Sequence, residues 1–147
     1  MHTRPVVLTR ARADDLHAIF TGSTTIVEGK PAIIYPGICD KSHEGCVSGT
    51  ALAAAVPKNA SDPLYQEWTK APPGGSPADN PLVNDTQRDP STAWRTQDGE
   101  WRLTTFTGKI YHSWDFIHWS SPPNASDGTV MDKPLFPQGE CPVRYFD

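Results

Sequence analysis

No apolar run in this 147-residue chain approaches the roughly 20 residues that a bilayer-spanning helix requires. Basic charge is scarce as well: 13 Lys and Arg stand against 17 Asp and Glu, for a net charge of −4. That balance leaves no electrostatic footprint for nucleic acid or an anionic membrane. A signal-peptide core is missing from the amino terminus, where Arg4, Arg10 and Arg12 accompany only the short apolar stretch Pro5–Leu8. Asp14 and Asp15 argue against a transit peptide, which would be poor in acids. What the chain has in quantity is breakers, 15 Pro and 11 Gly, which disfavour long helices and favour short strands joined by turns. The length is that of one domain.

Cysteine is limited to 3 residues. Cys39 and Cys46 bracket a short loop, and three readings stay open: a disulfide in an oxidising compartment, a Cys-His-Cys zinc site with His43, or two buried thiols. The spacing matches no common structural zinc pattern, so no metal and no cofactor are expected. Three glycosylation sequons begin at Asn59, Asn84 and Asn124, and each is formally an acceptor. They suggest the secretory route, although Ser and Thr are common enough to produce sequons by coincidence.

The strand signals come in groups. Thr24–Val27 and Pro31–Tyr35 flank Glu28-Gly29-Lys30 and predict a hairpin. Val47–Val56 reads as another strand, its Ala-rich centre notwithstanding, because Pro57 and the polar stretch after it oppose a long helix. Residues 57–87 read as a long surface connection. Beyond it, Ser91–Arg95, Glu100–Phe106, Lys109–Ser113 and Ile117–Ser120 predict four short antiparallel strands in succession. A four-stranded meander is the unit of a β-propeller blade, and a β-sandwich would give similar local signals.

Four motifs fall in a fixed order: Phe20-Thr21-Gly22-Ser23-Thr24-Thr25, Arg88-Asp89-Pro90, Asp115-Phe116-Ile117-His118-Trp119 and Glu140-Cys141-Pro142. Arg-Asp-Pro alone is a weak signal, but all four in order are a specific one. The order resembles glycoside hydrolase family 32, the family of invertases, fructan exohydrolases and fructosyltransferases. The resemblance implies an all-β fold, part of a five-bladed β-propeller amounting to about two to three blades of four-stranded antiparallel meanders. It covers residues 19–147, a partial N-terminal catalytic domain, and leaves 1–18 as an atypical segment. It further implies a funnel at the propeller axis where carboxylates from successive inner strands converge.

The chemistry explains the residue types. Cleaving a fructosyl bond builds positive charge on the ring, and a nearby carboxylate stabilises that transition state. The leaving oxygen needs a proton from an acid whose pKa is raised by burial or a neighbouring carboxylate. By resemblance, Glu140 is the acid/base and Asp89 the transition-state stabiliser that grips two sugar hydroxyls. Arg88 orients Asp89, Phe20 and Ser23 line the fructose pocket, and Cys141 sits beside the acid as a buried thiol. Each has a plainer reading: Glu140 as an exposed loop residue, Asp89 as a turn initiator, Arg88 as a surface charge, Phe20 as core. Trp94, Trp101, Trp114 and Trp119 are expected to fill the spaces between blades, not to bind ligand.

The sequence also departs from the family pattern. The nucleophile is an Asp in an Asn-Asp-Pro-Asn-Gly-like motif, and Met1–Phe20 holds no such motif. Asn84-Asp85-Thr86 lacks the Pro and lies after the first hairpin, and Asp14 and Asp15 lack the context. After Glu140-Cys141-Pro142 the chain reads Val143-Arg144-Tyr145-Phe146 instead of an Asp and an aromatic. The expectation is therefore an internal fragment of a retaining β-fructosidase acting on sucrose or fructans, with the nucleophile absent and the chain inactive alone. The rival readings are a catalytically dead sugar-binding remnant and a related two-carboxylate propeller glycosidase. The intact protein is expected to be secreted or vacuolar, with a small carbohydrate as its partner and neither nucleic acid nor membrane.

Overall fold

The computed structural model describes residues 8–10, 12, 15–39, 49–85 and 87–121. The described residues are all-β: eight strands and one 3₁₀ turn at Pro77–Asp79. They form two antiparallel sheets. The first contains β1 (Ala18–Ile19), β2 (Ser23–Val27), β3 (Lys30–Ile38), β4 (Thr50–Pro57) and β5 (Trp68–Thr69). The second contains β6 (Trp94–Arg95), β7 (Trp101–Thr104) and β8 (Ile110–Ser113).

The predicted first hairpin is present. Val27 pairs with Lys30, leaving a two-residue turn in which Glu28 has φ 50° and Gly29 φ 78°. Two successive positive φ values make a primed turn, whose twist matches that of the strands it joins. β1 and β2 lie along the same edge of β3 but out of register. Ile19 faces Gly37 while Ser23 faces Ile34, so one extra residue is inserted between them. This is a bulge, and Gly22 permits it: a Cβ there would sit 2.4 Å from the Ile34 carbonyl oxygen.

The Ala run of β4 is strand, as expected. Ala51, Ala53, Ala54 and Ala55 are each at most 3% exposed, buried on alternating faces beside β3. Small side chains on both faces let other segments pack close, and tertiary pairing overrides the helix preference of alanine. One face of the first sheet contributes Val27, Ala32, Ile34, Leu52 and Ala54 to the main core. The second sheet answers with Leu103 and Tyr111, and Phe116 joins from the turn that follows β8. The opposite face of the first sheet carries Tyr35, Ala53 and Ala55, against which Leu8, Ile19, Ile33 and Trp68 pack. There Asp15 is fully buried, accepting from the Tyr35 hydroxyl at 3.2 Å and from Lys70 Nζ.

Three expectations need correction. Residues 57–87 are not merely a surface connection: Ala71, Asn80, Leu82 and Val83 are buried, and Val83 bridges Leu52. Asn80 acts as a strand surrogate, accepting from the Ala54 N–H at 2.9 Å and donating to the Ala54 carbonyl at 2.8 Å. The expected fourth strand at Ile117–Ser120 reduces to a single bridge between His112 and Ser120. Asp115 Oδ1 accepts from the backbone N–H groups of both Ile117 and His118 at 2.8 Å, which turns the chain instead of extending it. Finally, Trp101 and Trp119 do pack on the core, but Trp114 is 63% exposed.

Cys39 is disulfide-bonded, which removes it from any zinc site with His43. His43, Cys46 and Cys141 lie outside the described residues, as do Glu140 and Asn124.

Candidate functional site

Ser91 and Ala93, the third and first residues before β6, lie on a stretch that runs beside β2. Ser23 Oγ donates to the Ser91 carbonyl at 2.7 Å, and the Ala93 N–H donates to Thr25 Oγ1 at 2.8 Å. Two side chains of β2 thus hold the stretch leading into β6 alongside it. Phe20 lies just before this contact and Asp89 just before its partner, so the first two motifs enter at the same end of the paired segments. The bulge at Gly22 falls between Phe20 and Ser23. It changes which way the residues before it face, and Phe20 is left 49% exposed.

Asp89 has φ 51°. A left-handed backbone is tolerated by Asp better than by most residues, but Asp89 also precedes Pro90, where sterics favour extended conformations. Such a conformation costs about 1–3 kcal/mol and persists only where its surroundings fix it. Those surroundings are identifiable. The Phe106 N–H donates to the Arg88 carbonyl at 3.1 Å, and the Ser91 N–H to the Thr104 carbonyl at 2.8 Å. Gln87 is buried, and its Oε1 accepts from Thr105 Oγ1 at 2.6 Å and from Thr107 Oγ1 at 2.7 Å. Asp85 Oδ2 accepts from Lys109 Nζ at 2.5 Å and the Tyr111 hydroxyl at 2.8 Å. Burial pushes the Tyr111 phenol pKa far up, and the Asp85 carboxylate adds to the shift, so this hydroxyl stays a donor.

The Asp89 side chain is 11% exposed, against 44% for Arg88. Arg88 Nε lies 3.8 Å from Asp89 Oδ2, and its guanidinium stacks 4.7 Å from the Phe106 ring centre. A planar guanidinium held on an aromatic face presents its donors in a fixed direction. The arrangement therefore offers an anionic acceptor and a cationic donor side by side. Polyol hydroxyls match such a set, because each both donates and accepts.

Of the residues singled out in the sequence, Arg88 and Asp89 lie side by side, Ser23 bonds the carbonyl of Ser91 two residues beyond Asp89, and Phe20 stands three residues before Ser23 with its N–H on the Pro36 carbonyl. The Ser23 hydroxyl proton goes to Ser91, so Ser23 acts here as a strut between segments. The third motif is structural. Asp115 caps the turn, Phe116 sits at φ 66° and is 1% exposed, and Trp119 packs edge-on to it with centroids 5.3 Å apart. Trp101 meets Phe116 at 5.0 Å and 90°. Burial raises the Asp115 pKa, but hydrogen bonds from the His118 ring, two backbone N–H groups and Ser113 outweigh it, and the pKa lies far below the usual range. The His118 imidazole is raised in turn by its bond to Asp115. Sequence reasoning missed Gln87, Asp85 and Asn80, each polar and each bonded to residues distant in the chain. Among the described residues, no group of His, Cys, Asp and Glu is placed to hold a metal ion.

A family model described as the glycosyl hydrolases family 32 N-terminal domain matches residues 1–142. The chain is 37% identical over 139 residues to a fructan 6-exohydrolase of Beta vulgaris, covering 86% of this chain and 22% of that protein. It is 34% identical to the cell wall isozyme of β-fructofuranosidase from Pisum sativum, covering 92% of this chain and 24% of the relative. The solved structure of fructan 1-exohydrolase IIa from Cichorium intybus superposes with a TM-score of 0.62 at 32% identity, over 78% of this chain and 22% of that one. A second structure of that enzyme, in complex with 1-kestose, gives 0.63 over 80% of this chain. The chain thus spans about a quarter of the length of these relatives or slightly less.

Proposed function

From the premise that this chain belongs to glycoside hydrolase family 32, we propose that it forms the fructose-holding wall of a retaining β-fructosidase acting on sucrose or fructans. In this reading the two sheets are successive propeller blades. Asp89 accepts hydroxyls of the fructosyl ring and stabilises the charge that develops on it. Arg88 donates to the same ring, and Phe20 packs against its apolar face. Glu140, outside the described residues, is the acid/base, and Cys141 sits beside it. A retaining reaction uses a second carboxylate as nucleophile, about 5–5.5 Å from the acid. In the same reading the intact protein follows the secretory route and is secreted or vacuolar. Among the described residues, no helix is long and apolar enough to cross a membrane.

The observation that carries this reading is the strained Asp89. A nearly buried carboxylate stands at positive φ before a proline, clamped by bonds from Gln87, Arg88 and Ser91 to the second sheet. A turn-initiating Asp would need none of that support. Titration of the chain with sucrose, 1-kestose and maltose, followed by amide NMR, tests it. Sucrose and 1-kestose should perturb Phe20, Arg88 and Asp89, and Asp89→Asn should abolish the response. Equal perturbation by maltose would remove the fructosyl assignment. Fructose release from sucrose above that of Glu140→Gln would show that the chain carries the activity by itself; no release is expected, because Met1–Phe20 holds no nucleophile motif of the family.

A further inference from the structure

A second groove lies at the other end of β2. It is bounded by the Glu28 turn, by Pro73-Gly74, and by the turn from Trp114 to Ile117, with a volume of about 470 Å³. That size falls in the ~300–1,000 Å³ range of small-ligand sites. Ser23 and Val27 mark opposite ends of β2, roughly 13 Å apart at the usual strand rise. The groove is therefore separate from the Asp89 site. Its floor is rigid, made by Trp101 and Phe116, which meet edge-to-face within the core. Its walls are not core. Among the described residues, Ile26 is 61% exposed and Trp114 63%.

The polar rim comes from three separate segments: Glu28, Arg95 and Asp115. Arg95 Nε donates to the Gly99 carbonyl at 2.8 Å, and its guanidinium lies 5.4 Å from the Trp101 ring centre. That fixes the plane of the guanidinium while engaging only one of its N–H groups in the bond. Glu28 takes part in no side-chain hydrogen bond or ion pair among the described residues, although its positive φ holds the turn in one conformation. Asp115 is engaged by its own turn and contributes charge, not a new acceptor. The signs are mixed, so the groove does not suit a strongly anionic ligand.

We propose that this groove is a second carbohydrate-binding site, taking a neutral oligosaccharide whose ring stacks on Trp114. A pyranose or furanose has an apolar C–H face for the indole and Ile26. Its edge hydroxyls suit a fixed guanidinium and an uncommitted carboxylate at once. The choice of a fructan chain as the occupant rests on the proposed function; the site itself does not. Holding a distal part of a long substrate here would raise the effective concentration of its end at the Asp89 site.

The test is the indole Nε1–H resonance of Trp114 in the isotope-labelled chain, titrated with 1-kestose and, separately, maltotriose. The resonance should shift with 1-kestose in the wild type and in Asp89→Asn alike. Trp114→Ala, read at the Ile117 amide that lines the same groove, and Arg95→Gln should each weaken binding at the groove about tenfold while Phe20 and Arg88 still respond, which shows that the variants are folded. An unmoved Trp114 resonance with both sugars would overturn the proposal. A shift lost in Asp89→Asn would also overturn it, because the groove would then not be a separate site. A response to maltotriose alone would overturn the fructan assignment. Concentration-dependent shifts in the absence of sugar, without a further response to sugar, would mean that the groove meets a second protein chain instead.

Discussion

Replacing Asp89 with Gly separates the two things a nearly buried carboxylate can do. If Asp89 serves a ligand, its backbone is held in a conformation that the fold tolerates and does not need. Glycine relieves the positive φ, a gain of about 1–2 kcal/mol. Against this stand the extra flexibility of glycine in the unfolded chain, about 0.5–1 kcal/mol, and the loss of the Arg88 contact. That contact is 3.8 Å long with a partner 44% exposed, so a figure of about 0–1 kcal/mol is appropriate. The net change in stability is then within about 1 kcal/mol of zero. Sugar affinity should behave differently. Each hydrogen bond from a ligand hydroxyl to the charged carboxylate contributes about 1.5–3 kcal/mol, or roughly 10- to 150-fold in affinity. Urea unfolding monitored by tryptophan fluorescence reads the first quantity, and titration with 1-kestose the second. Unchanged stability with lost binding is the expected pair. If Asp89→Gly instead costs more than about 2 kcal/mol, the carboxylate is holding the fold together and the reasoning fails, whatever happens to binding.

Other positions give sharper structural tests. Gln87→Ala should cost about 2–3 kcal/mol in urea unfolding, because Thr105 and Thr107 lose their shared acceptor, and Gln87→Glu should recover most of it since a carboxylate accepts both bonds. Gly22→Ala should cost about 1–3 kcal/mol and broaden the amides of Ile34 and Tyr35, because the added Cβ meets the Ile34 carbonyl at 2.4 Å. The Asp115–His118 pair should give a pH window. The depressed Asp115 pKa means that its contribution is complete above the ordinary carboxylate value and fades as pH falls toward the folded one. The raised His118 pKa means that its contribution is complete below the ordinary imidazole value and is lost as pH rises through the folded one. NMR titration should show His118 at a higher midpoint than in Asp115→Asn; equal midpoints would refute the pairing.

The features that could be read from the sequence are those whose cause is local. The hairpin at Glu28-Gly29 follows from turn chemistry within four residues, and β4 follows from Pro57 opposing the helix that alanine favours. The features that escaped have their cause elsewhere in the chain. Gly22 is required by the carbonyl of Ile34, and nothing next to Gly22 announces that contact. Asn80 is bonded to Ala54, and Leu82 and Val83 gain their burial by meeting Leu52, so residues 57–87 looked like a surface connection. A hydrophilic stretch with three or four anchoring residues has the composition of a loop even when those anchors are buried.

The stretch Ile117–Ser120 shows how a pattern can be right in period and wrong in outcome. Alternating Ile117, His118, Trp119 and Ser120 fits a strand with one face inward. Two local devices defeat it. Asp115 takes the N–H groups of Ile117 and His118 that a ladder would need, and Phe116 adopts φ 66°. For a bulky residue that conformation is strained by about 1–3 kcal/mol, and burying the ring between Trp101 and Trp119 offsets it. The same turn lifts Trp114 away from the core, out of the packing role its residue type suggests. Thus the Asp-Phe-Ile-His-Trp motif lines the groove directly and bears on Asp89 only through the core. It fixes one wall of the Trp114 groove, and through Phe116 it joins the core that holds β7, whose end carries the hydrogen bonds that keep Asp89 in place.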